Sequence, residues 1–420
     1  MHSSGLIKRL AGTLTLTLYI TYWVLFGGTP ALAGAGPAAT AALLATAAPG
    51  ATSSTSAASA ASPASVPAPL VDSPSCVVMD AVSGRILFEK DAVTKRNPAS
   101  VTKIMTLVLT LEDVASGKVE LTDEVTCSEN AWEMGGTEVW AEPGETMSLD
   151  QWIRAVAVAS ANDAAVVLAE FIGGSEEAFV ARMNQRAKEL GMKDTRFVNP
   201  HGLDADGHET TAMDLAVLSR HAVTVPHLLD YTKIYQQEFR GGRNMLTNFN
   251  KLVYLYPGAD GLKTGMTSKS GYCISATAQR DASRFIVILM GTETADQRMN
   301  DAWRLLDWAF ASFRSLPILK QDERVAEARV LKGREDAVTL VPLAPFAVTL
   351  VKGQKGEVRR TISLARVVAP VEKGAVLGTM RVEVDGEKVA DVQLVAQSNV
   401  ERANFLDYAA RYFRAFTVGR

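Results

Sequence analysis

Residues 97–103 read Asn-Pro-Ala-Ser-Val-Thr-Lys, and they place the hydroxyl of Ser100 three residues before the amine of Lys103. Asn97-Pro98 is a helix-start signal, and apolar residues at positions 104, 107, 108 and 111 recur at helical spacing. Because residues three apart on a helix are neighbours, the hydroxyl and the amine are expected within hydrogen-bond reach. Such a pair can transfer an acyl group without a histidine if burial or a second cation keeps the amine neutral. By itself S-x-x-K is weak evidence, because a capping serine followed by a solvated lysine has the same spacing.

Two further motifs follow along the chain, Ser160-Ala161-Asn162 and Lys263-Thr264-Gly265. Serine enzymes that interact with penicillin carry S-x-x-K, S-x-N and K-T-G in this order. The chain closely resembles the D-alanyl-D-alanine carboxypeptidases, the low-molecular-mass penicillin-binding proteins that trim peptidoglycan stem peptides. The resemblance runs from about residue 75 to about residue 314 and includes these ordered matches: Gly135-Gly136-Thr137, Met183-Asn184, Asn199-Pro200-His201-Gly202-Leu203-Asp204, His208, Thr211-Ala212, Asn248 and Asn250.

The resemblance implies catalytic roles for four side chains. Ser100 is the nucleophile that attacks the carbonyl of the penultimate D-alanine and forms an acyl-enzyme. Lys103 is its base, and the charge of Lys263 lowers the proton affinity of that amine. Ser160 relays a proton between the lysines and the leaving nitrogen. The implied protein is a serine-type D-Ala-D-Ala carboxypeptidase, a hydrolase that β-lactam antibiotics inhibit covalently.

The resemblance also implies how the substrate is held. The expected substrate-binding residues are Asn162, Lys263, Thr264, Gly265 and Arg298. The oxyanion needs two fixed donors, which in this family are the backbone N–H groups of the nucleophile and of the residue after K-T-G, here Ser100 and Met266. Arg298 precedes the last helix of the catalytic region, and with the Thr264 hydroxyl it is expected to bind the free carboxylate of the substrate. The alternative for Arg298 is an ordinary surface arginine at a helix start.

Strand-like and helical patterns alternate through residues 71–318, which we predict to be the catalytic domain. The predicted strands are at 76–80, 85–89, 271–278 and 284–290. A long helical stretch at 149–190 lies between them, and an amphipathic helix at 299–313 closes the domain. This order predicts the α/β (α+β) class, with an antiparallel sheet built from both chain ends and an inserted helical lobe. The resemblance implies the penicillin-binding, serine β-lactamase-like transpeptidase fold, with the site in the cleft between the lobes.

Residues 319–400 have the pattern of a small all-β domain. The predicted strands are at 338–341, 347–351, 380–384 and 389–395, and Asp385-Gly386 joins the last two as a tight hairpin. Because this part carries no catalytic constellation, we expect a spacer or a protein-contact module.

The N-terminal sequence is typical of an exported protein. Lys8-Arg9 precedes an apolar run at 10–26, and Ala31-Leu32-Ala33 fits a cleavage site, so residues 1–33 are predicted to be a signal peptide. The apolar run has about the minimum length for a membrane span, which leaves an uncleaved anchor as the alternative. Residues 34–70 are almost entirely Ala, Ser, Thr, Pro and Gly and predict a disordered linker. We expect the enzyme at the outer face of the cytoplasmic membrane or in the cell wall.

Residues 401–420 have an amphipathic pattern. One helical stripe carries Phe405, Leu406, Ala409, Tyr412, Phe413 and Phe416, and Arg402, Arg411 and Arg414 lie largely off it. The stripe predicts an interfacial membrane anchor, which the family resemblance favours. The alternative is a helix that docks on the preceding β domain.

The formal charge of −3 argues against a nucleic-acid partner, and the sequence contains no zinc, nucleotide or phosphate motif, so we expect no cofactor and no metal. His201 and His208 lie in a Gly/Pro-rich loop and are expected to make structural hydrogen bonds. Asp163 is expected to cap or orient the helical lobe. The three cysteines, Cys76, Cys127 and Cys273, are interpreted as small buried hydrophobes, although one disulfide is compatible with an exported chain.

Two other functions share these motifs. A serine β-lactamase needs a positioned deacylating water, but no Glu-x-x-x-Asn segment lies between S-x-N and K-T-G. A non-catalytic wall-binding protein on the same fold would not need all three motifs. The peptidoglycan stem peptide ending in D-Ala-D-Ala is therefore the expected partner.

Overall fold

The structure is a computed structural model that describes residues 66–409. The predicted signal peptide, most of the predicted linker and residues 410–420 of the predicted anchor lie outside the described residues. Within residues 66–409, no helix combines the length and the apolar character that crossing a bilayer requires.

The first part of the described chain mixes strands and helices. Its strands are β1 (Ser75–Asp80), β2 (Ile86–Lys90), β3 (Glu124–Thr126), β4 (Thr146–Ser148), β5 (Gln236–Phe239), β6 (Asn244–Thr247), β7 (Ala259–Thr267), β8 (Gly271–Arg280) and β9 (Ser283–Thr292). Its helices are α1 (Lys103–Ala115), α2 (Glu129–Trp132), α3 (Leu149–Ala157), α4 (Asn162–Gly173), α5 (Glu176–Leu190), α6 (Ala212–Ala222), α7 (Leu228–Thr232), α8 (Leu252–Leu255) and α9 (Ala295–Ser312).

Five of these strands form one antiparallel sheet in the order β2-β1-β9-β8-β7. The predicted hairpin at the start of the domain is present as β1 and β2. β1 also pairs with β9, with Val77 opposite Ile288, so both chain ends build the sheet. The predicted fold class is therefore confirmed. β7, which carries the K-T-G motif, lies at one edge and pairs only with β8.

Both faces of the sheet are covered, and β9 shows why its sequence is continuously apolar. Alternate side chains, including Ile286 and Ile288, join the core formed with the helical lobe. The intervening Phe285, Val287 and Leu289 join a second core beneath α9. Because successive side chains of a strand point to opposite faces, a strand buried on both sides has no polar alternation.

The helical stretch predicted at 149–190 is present and consists of three helices, α3, α4 and α5. The chain turns at Ser160, with φ of +62°, and at Gly174, with φ of +79°, and neither conformation continues a right-handed helix. The closing helix begins at Ala295 rather than at 299, because the Thr294 hydroxyl accepts the Gln297 N–H at 3.1 Å and caps it there.

The rest of the described chain is mainly β-structure, as predicted. Its strands are β10 (Phe313–Leu319), β11 (Ala326–Leu331), β12 (Ala337–Pro342), β13 (Phe346–Val351), β14 (Val358–Leu364), β15 (Val367–Val368), β16 (Val376–Val384) and β17 (Glu387–Ala396). Six of them form a sheet in the order β14-β16-β17-β12-β11-β15. Asp385 and Gly386 have φ of +51° and +86°, which confirms the predicted tight hairpin between β16 and β17.

The β-strands after α9 are tied to β1 by a buried carboxylate. Asp80 accepts hydrogen bonds from the Ser315 hydroxyl at 2.9 Å and the Thr349 hydroxyl at 2.5 Å. Ser315 and Thr349 face each other on β10 and β13. A cavity of about 730 Å³ lies beside this junction, lined by residues that include Met79, Val217, Leu319 and Phe346, and none of the predicted site residues lines it.

Candidate active site

The S-x-x-K motif lies where a short 3-10 helix, Ala99–Thr102, leads into α1. The α-helix therefore begins at Lys103, and Ser100 lies in the 3-10 turn rather than in the first α-turn. The spacing nevertheless brings Lys103 Nζ to 3.1 Å from Ser100 Oγ. Ala99 has φ of +48°, a conformation that a residue with a Cβ rarely adopts. Backbone strain of this kind concentrates at functional sites.

Lys103 is completely buried, and its amine contacts three oxygen atoms. Besides Ser100 Oγ, these are Asn162 Oδ1 at 2.7 Å and the carbonyl oxygen of His201 at 2.6 Å. Burial, assisted by the charge of Lys263, lowers the pKa of Lys103 far below the usual lysine value, against the opposing effect of Asp163. The site therefore favours a neutral amine beside the hydroxyl.

The S-x-N motif forms the turn before α4. Ser160 is buried in the left-handed turn, and Asn162 is the first residue of the helix. The Asn162 side chain accepts from Lys103 and donates Nδ2–H to the carbonyl of Gly135 at 2.8 Å. A Cβ on Gly136 would come within 2.7 Å of that nitrogen, which explains the glycine at this position.

Asp163 orients the helical lobe, as expected. Its carboxylate accepts the N–H of Val139 at 3.1 Å, the N–H of Ala141 at 3.1 Å and its neighbour's N–H at 2.8 Å. The loop before α3 is therefore fixed to the N-terminus of α4, next to Asn162.

The K-T-G motif runs along β7 directly beside the Ser100 turn. Lys263 and Thr264 are buried, and burial together with the charge of Arg298 lowers the pKa of Lys263 to about 7. A Cβ on Gly265 would lie 2.9 Å from the backbone nitrogen of Ser100, so glycine is what lets the strand approach this closely. Met266 follows, with its side chain 56% exposed.

Arg298 is buried in the first turns of α9 and points toward β7. Its Nη1 makes only long contacts, 3.4 Å each, to the carbonyl oxygens of Gly265 and Cys273, and its Nε has no hydrogen-bond partner. Its guanidinium carbon lies 5.5 Å from the centre of the Tyr272 ring. No carboxylate within the described part of the chain forms an ion pair with it. The surface-arginine interpretation is therefore wrong, and a buried cation beside β7 lacks a carboxylate partner.

Both histidines are buried and hydrogen-bonded. His208 accepts the N–H of Val198 on Nδ1 at 3.0 Å, and its Nε2 lies 2.8 Å from the Thr102 hydroxyl. His201 accepts the N–H of Leu203 on Nδ1 at 3.2 Å. Burial lowers their pKa values, to about 3 for His201 and to about 4 for His208. These contacts agree with the expected structural role of His201 and His208.

The remaining candidates have simple environments. Cys76, Cys127 and Cys273 are all buried free thiols, so the interpretation as small hydrophobes is confirmed and the disulfide is not formed. Residues 66–409 contain no cluster of three His, Cys, Asp or Glu side chains placed to hold a metal ion.

Sequence reasoning missed how the loop at 199–208 completes the site. The backbone carbonyl of His201 accepts a hydrogen bond from the Lys103 amine. A contact made by the backbone cannot be predicted from a pattern of side chains. Asp204 accepts from Thr267 Oγ1 at 2.8 Å and from Asn97 Nδ2 at 3.3 Å, so it links the end of β7 to the start of the Ser100 turn. The ordered match at 199–204 was the available signal.

Comparison with known proteins covers both parts of the chain. The family described as D-alanyl-D-alanine carboxypeptidase matches residues 61–294, and the family described as penicillin-binding protein 5, C-terminal domain, matches residues 313–402. The D-alanyl-D-alanine carboxypeptidase DacF of Bacillus subtilis is 36% identical over 345 residues, which are 81% of this chain and 89% of the relative. DacC of Escherichia coli is 34% identical over 351 residues, 81% of this chain and 87% of the relative.

Solved structures agree. Penicillin binding protein 5 from Haemophilus influenzae has a TM-score of 0.70 and 31% identity, with 80% of this chain and 100% of that chain covered. Penicillin-binding protein D2 from Listeria monocytogenes in its ampicillin-bound form has a TM-score of 0.54 and 31% identity, with 58% and 99% covered. Together with three motifs that converge on one buried lysine, these likenesses place the chain in the D-alanyl-D-alanine carboxypeptidase family of serine peptidases.

Proposed function

We propose that this protein removes the terminal D-alanine from peptidoglycan stem peptides through an acyl-enzyme on Ser100, and that penicillins acylate the same hydroxyl. The observation that carries the proposal is the buried amine of Lys103, which lies 3.1 Å from Ser100 Oγ and forms no ion pair with a carboxylate among residues 66–409. A protonated lysine cannot accept a proton, so a base of this kind has to be kept neutral, and burial supplies that condition.

The contacts of Lys103 support transfer of the proton from Ser100 to Lys103. A neutral amine has two N–H donors and one lone pair. The two shorter contacts, to Asn162 Oδ1 and the His201 carbonyl, can only accept and therefore use both donors. The lone pair is left for the Ser100 hydroxyl, which donates to it. As Oγ bonds to the substrate carbonyl carbon, its proton passes to Lys103 Nζ.

The acyl-enzyme then forms and breaks down with the protons accounted for. The carbon–nitrogen bond to the last D-alanine breaks, and the leaving amine takes a proton from Lys103 by way of Ser160. A water molecule next attacks the ester carbon and gives a proton to Lys103, and Ser100 leaves with a proton restored to its oxygen. The backbone N–H groups of Ser100 and Met266 stabilise the oxyanion in both steps, and the approach of Gly265 to Ser100 supports this pairing.

Recognition of a free carboxylate distinguishes a carboxypeptidase from an endopeptidase. Arg298, on α9, supplies a buried cation whose Nε has no hydrogen-bond partner among the described residues. The Thr264 hydroxyl lies on β7, one residue before Gly265, whose carbonyl Arg298 contacts. Lys263 and Asn162 hold the substrate backbone in the same cleft. A substrate carboxylate would give Arg298 the ion-pair partner that none of the described residues provides.

Penicillin acylation and export complete the proposal. Relatives on this fold have been solved in ampicillin- and cefotaxime-bound forms, which supports reaction of Ser100 with β-lactams. A family that acts on peptidoglycan works outside the cytoplasm, in agreement with the proposed signal peptide at 1–33, linker at 34–70 and catalytic domain at 71–318, followed by the β domain at 319–400.

The C-terminal residues 401–420 are proposed to lie on the outer face of the cytoplasmic membrane. A helix begins at Phe405, and Phe405 and Leu406 are 83% and 74% exposed, so the start of the apolar stripe is not docked on the β domain. Protein that lacks residues 401–420 should no longer sediment with anionic vesicles. Sedimentation equal to that of the full chain would remove the anchor.

The central test uses Ser100→Ala in the signal-free protein. We expect no detectable D-alanine release from a D-Ala-D-Ala peptide and no covalent labelling by a fluorescent penicillin, with an unchanged thermal unfolding midpoint. Ser116→Ala, at the exposed C-terminal end of α1 in the same domain, is the control and should keep both activities. Stoichiometric labelling of Ser100→Ala would refute the nucleophile. Rapid turnover of penicillin by the unmodified protein would instead favour a β-lactamase, and failure of that protein to be labelled would favour a wall-binding role.

A further inference from the structure

Trp140 is an exposed aromatic residue in an unfavourable backbone conformation. Its side chain is 76% exposed, and its φ is +51°. A bulky residue rarely adopts a left-handed backbone, and an exposed indole gains nothing from core packing. An outlier of this kind is a reason to look for a function at that position.

The backbone on both sides of Trp140 is held by two separate groups. From one side, Asp163 accepts the N–H groups of Val139 and Ala141, each at 3.1 Å. From the other side, Arg240 donates to the carbonyls of Val139 at 2.7 Å and Trp140 at 3.4 Å, and it forms a two-pronged ion pair with Glu145 at 2.6 and 2.8 Å. The loop is therefore rigid while its largest side chain remains in solvent.

The same loop lies against the catalytic groups. Five residues before Trp140, the carbonyl of Gly135 accepts the side-chain N–H of Asn162, and the Thr137 carbonyl accepts the Asn162 backbone N–H at 2.7 Å. Asn162 in turn contacts Lys103, which contacts Ser100. Trp140 is thus presented by the segment that borders the cleft on the side of the helical lobe.

We propose that Trp140 is a specificity-determining residue that stacks on a sugar ring of the glycan strand carrying the stem peptide. This rests on the proposed function and extends its substrate from a peptide to the cell-wall polymer. Three residues separate the D-Ala-D-Ala unit from the sugar, and three extended residues span roughly 10 Å, which is enough to pass from Ser100 beyond Asn162. The three stem-peptide residues between the sugar and the D-Ala-D-Ala unit carry mostly amide and charged groups. The C–H face of a sugar ring, in contrast, is a continuous apolar surface that an indole ring covers well.

The test compares three substrates that end in D-Ala-D-Ala: an acylated tripeptide, the free pentapeptide and the disaccharide pentapeptide. Trp140→Asn removes the ring and tolerates the positive φ, and Trp140→Phe keeps an aromatic ring. Trp132→Asn is the control. Trp132 is also exposed, at 53%, but it is the last residue of α2 and does not have the positive φ of Trp140. We expect Trp140→Asn to lower kcat/KM for the disaccharide pentapeptide about tenfold more than for the free pentapeptide.

The outcomes separate this inference from the proposed function. Trp140→Phe should recover most of the preference for the disaccharide, and Trp132→Asn should not change it. If Trp140→Asn lowered kcat/KM equally for the free and the glycosylated pentapeptide, the indole would contact the peptide and the proposed sugar contact would be wrong. It would also be wrong if kcat/KM did not fall for any substrate. If the unmodified protein released D-alanine from none of the three, the proposed function would fail instead.

Discussion

Two pairs of buried bases lie close together in this protein, and we propose that only one pair takes part in the reaction. Lys103 and Lys263 are buried in the cleft, and His201 and His208 are buried in the loop at 199–208. Burial is the largest cause of a lowered pKa in all four groups. A perturbed pKa therefore does not distinguish catalytic from structural residues here.

The difference lies in the hydrogen-bond partners. Both ring nitrogens of His208 contact protein groups, the Val198 N–H and the Thr102 hydroxyl, so no position remains for a substrate. Lys103 contacts a hydroxyl, Ser100, that is itself free to attack. We therefore expect the buried base that faces a reactive group in the cleft, Lys103, to be catalytic and His208 to be structural.

The largest expected effect is the loss of the Lys103 amine. Lys103→Met keeps the length of the side chain and removes the base, so we expect kcat/KM for D-alanine release to fall by roughly 1000-fold. The protein should remain folded, because an apolar side chain suits the buried position better than an amine. Stopped-flow penicillin labelling and D-alanine release measure the effect. Lys251→Met, at an exposed position, is the control. Comparable activity of the two variants would show that Lys103 is not the catalytic base.

Arg298 is a third buried cation, and its Nε has no hydrogen-bond partner among residues 66–409. Arg298→Gln should lower kcat/KM for a peptide with a free terminal carboxylate by roughly 100-fold, since a charge-assisted pair is lost in a buried site. A substrate with an amidated C-terminus never uses the contact and should lose far less. Arg304→Gln, on the exposed side of the same helix, is the control. Equal losses of Arg298→Gln on both substrates would make Arg298 a packing residue.

The smallest effect on catalysis is expected at His208, where stability should respond instead. Its folded-state pKa, about 4, lies below the ordinary value of 6.5, so the unfolded chain binds the proton first as the pH falls. The free energy of unfolding should therefore decline between pH 6.5 and pH 4, with about 3 kcal/mol of the loss due to His208 at pH 4.

Denaturant unfolding across that pH range measures the contribution. His208→Gln should be less stable than the unmodified protein at pH 7 and should show a shallower decline toward pH 4. His227→Gln, at an exposed histidine outside the loop at 199–208, is the matched control for the substitution itself. A slope unaltered by His208→Gln would show that this histidine is not the group that titrates.

Much of the architecture was predictable because it depends on short-range patterns. The hairpin at Asp385-Gly386 follows from two residues that tolerate positive φ. The break at Ser160 was not predictable, because the run around it is apolar and helical in pattern and the turn is required by the cleft. β14 was not predicted, although Val358, Ile362 and Leu364 alternate with polar residues; the structure places this strand at an edge of its sheet with every residue exposed.

The reactive groups can be read from the sequence, because three spaced motifs specify three hydroxyls, two amines and an amide in a fixed order, and a helical turn alone brings Ser100 to Lys103. The tertiary structure is needed to see which of these groups are buried, which have lowered pKa values and which retain an unfilled contact among residues 66–409. Those properties depend on residues far apart in the chain, such as the His201 carbonyl on Lys103 and the absence of a carboxylate beside Arg298 among the described residues. Desolvation and hydrogen bonding act through space, so no local pattern records them.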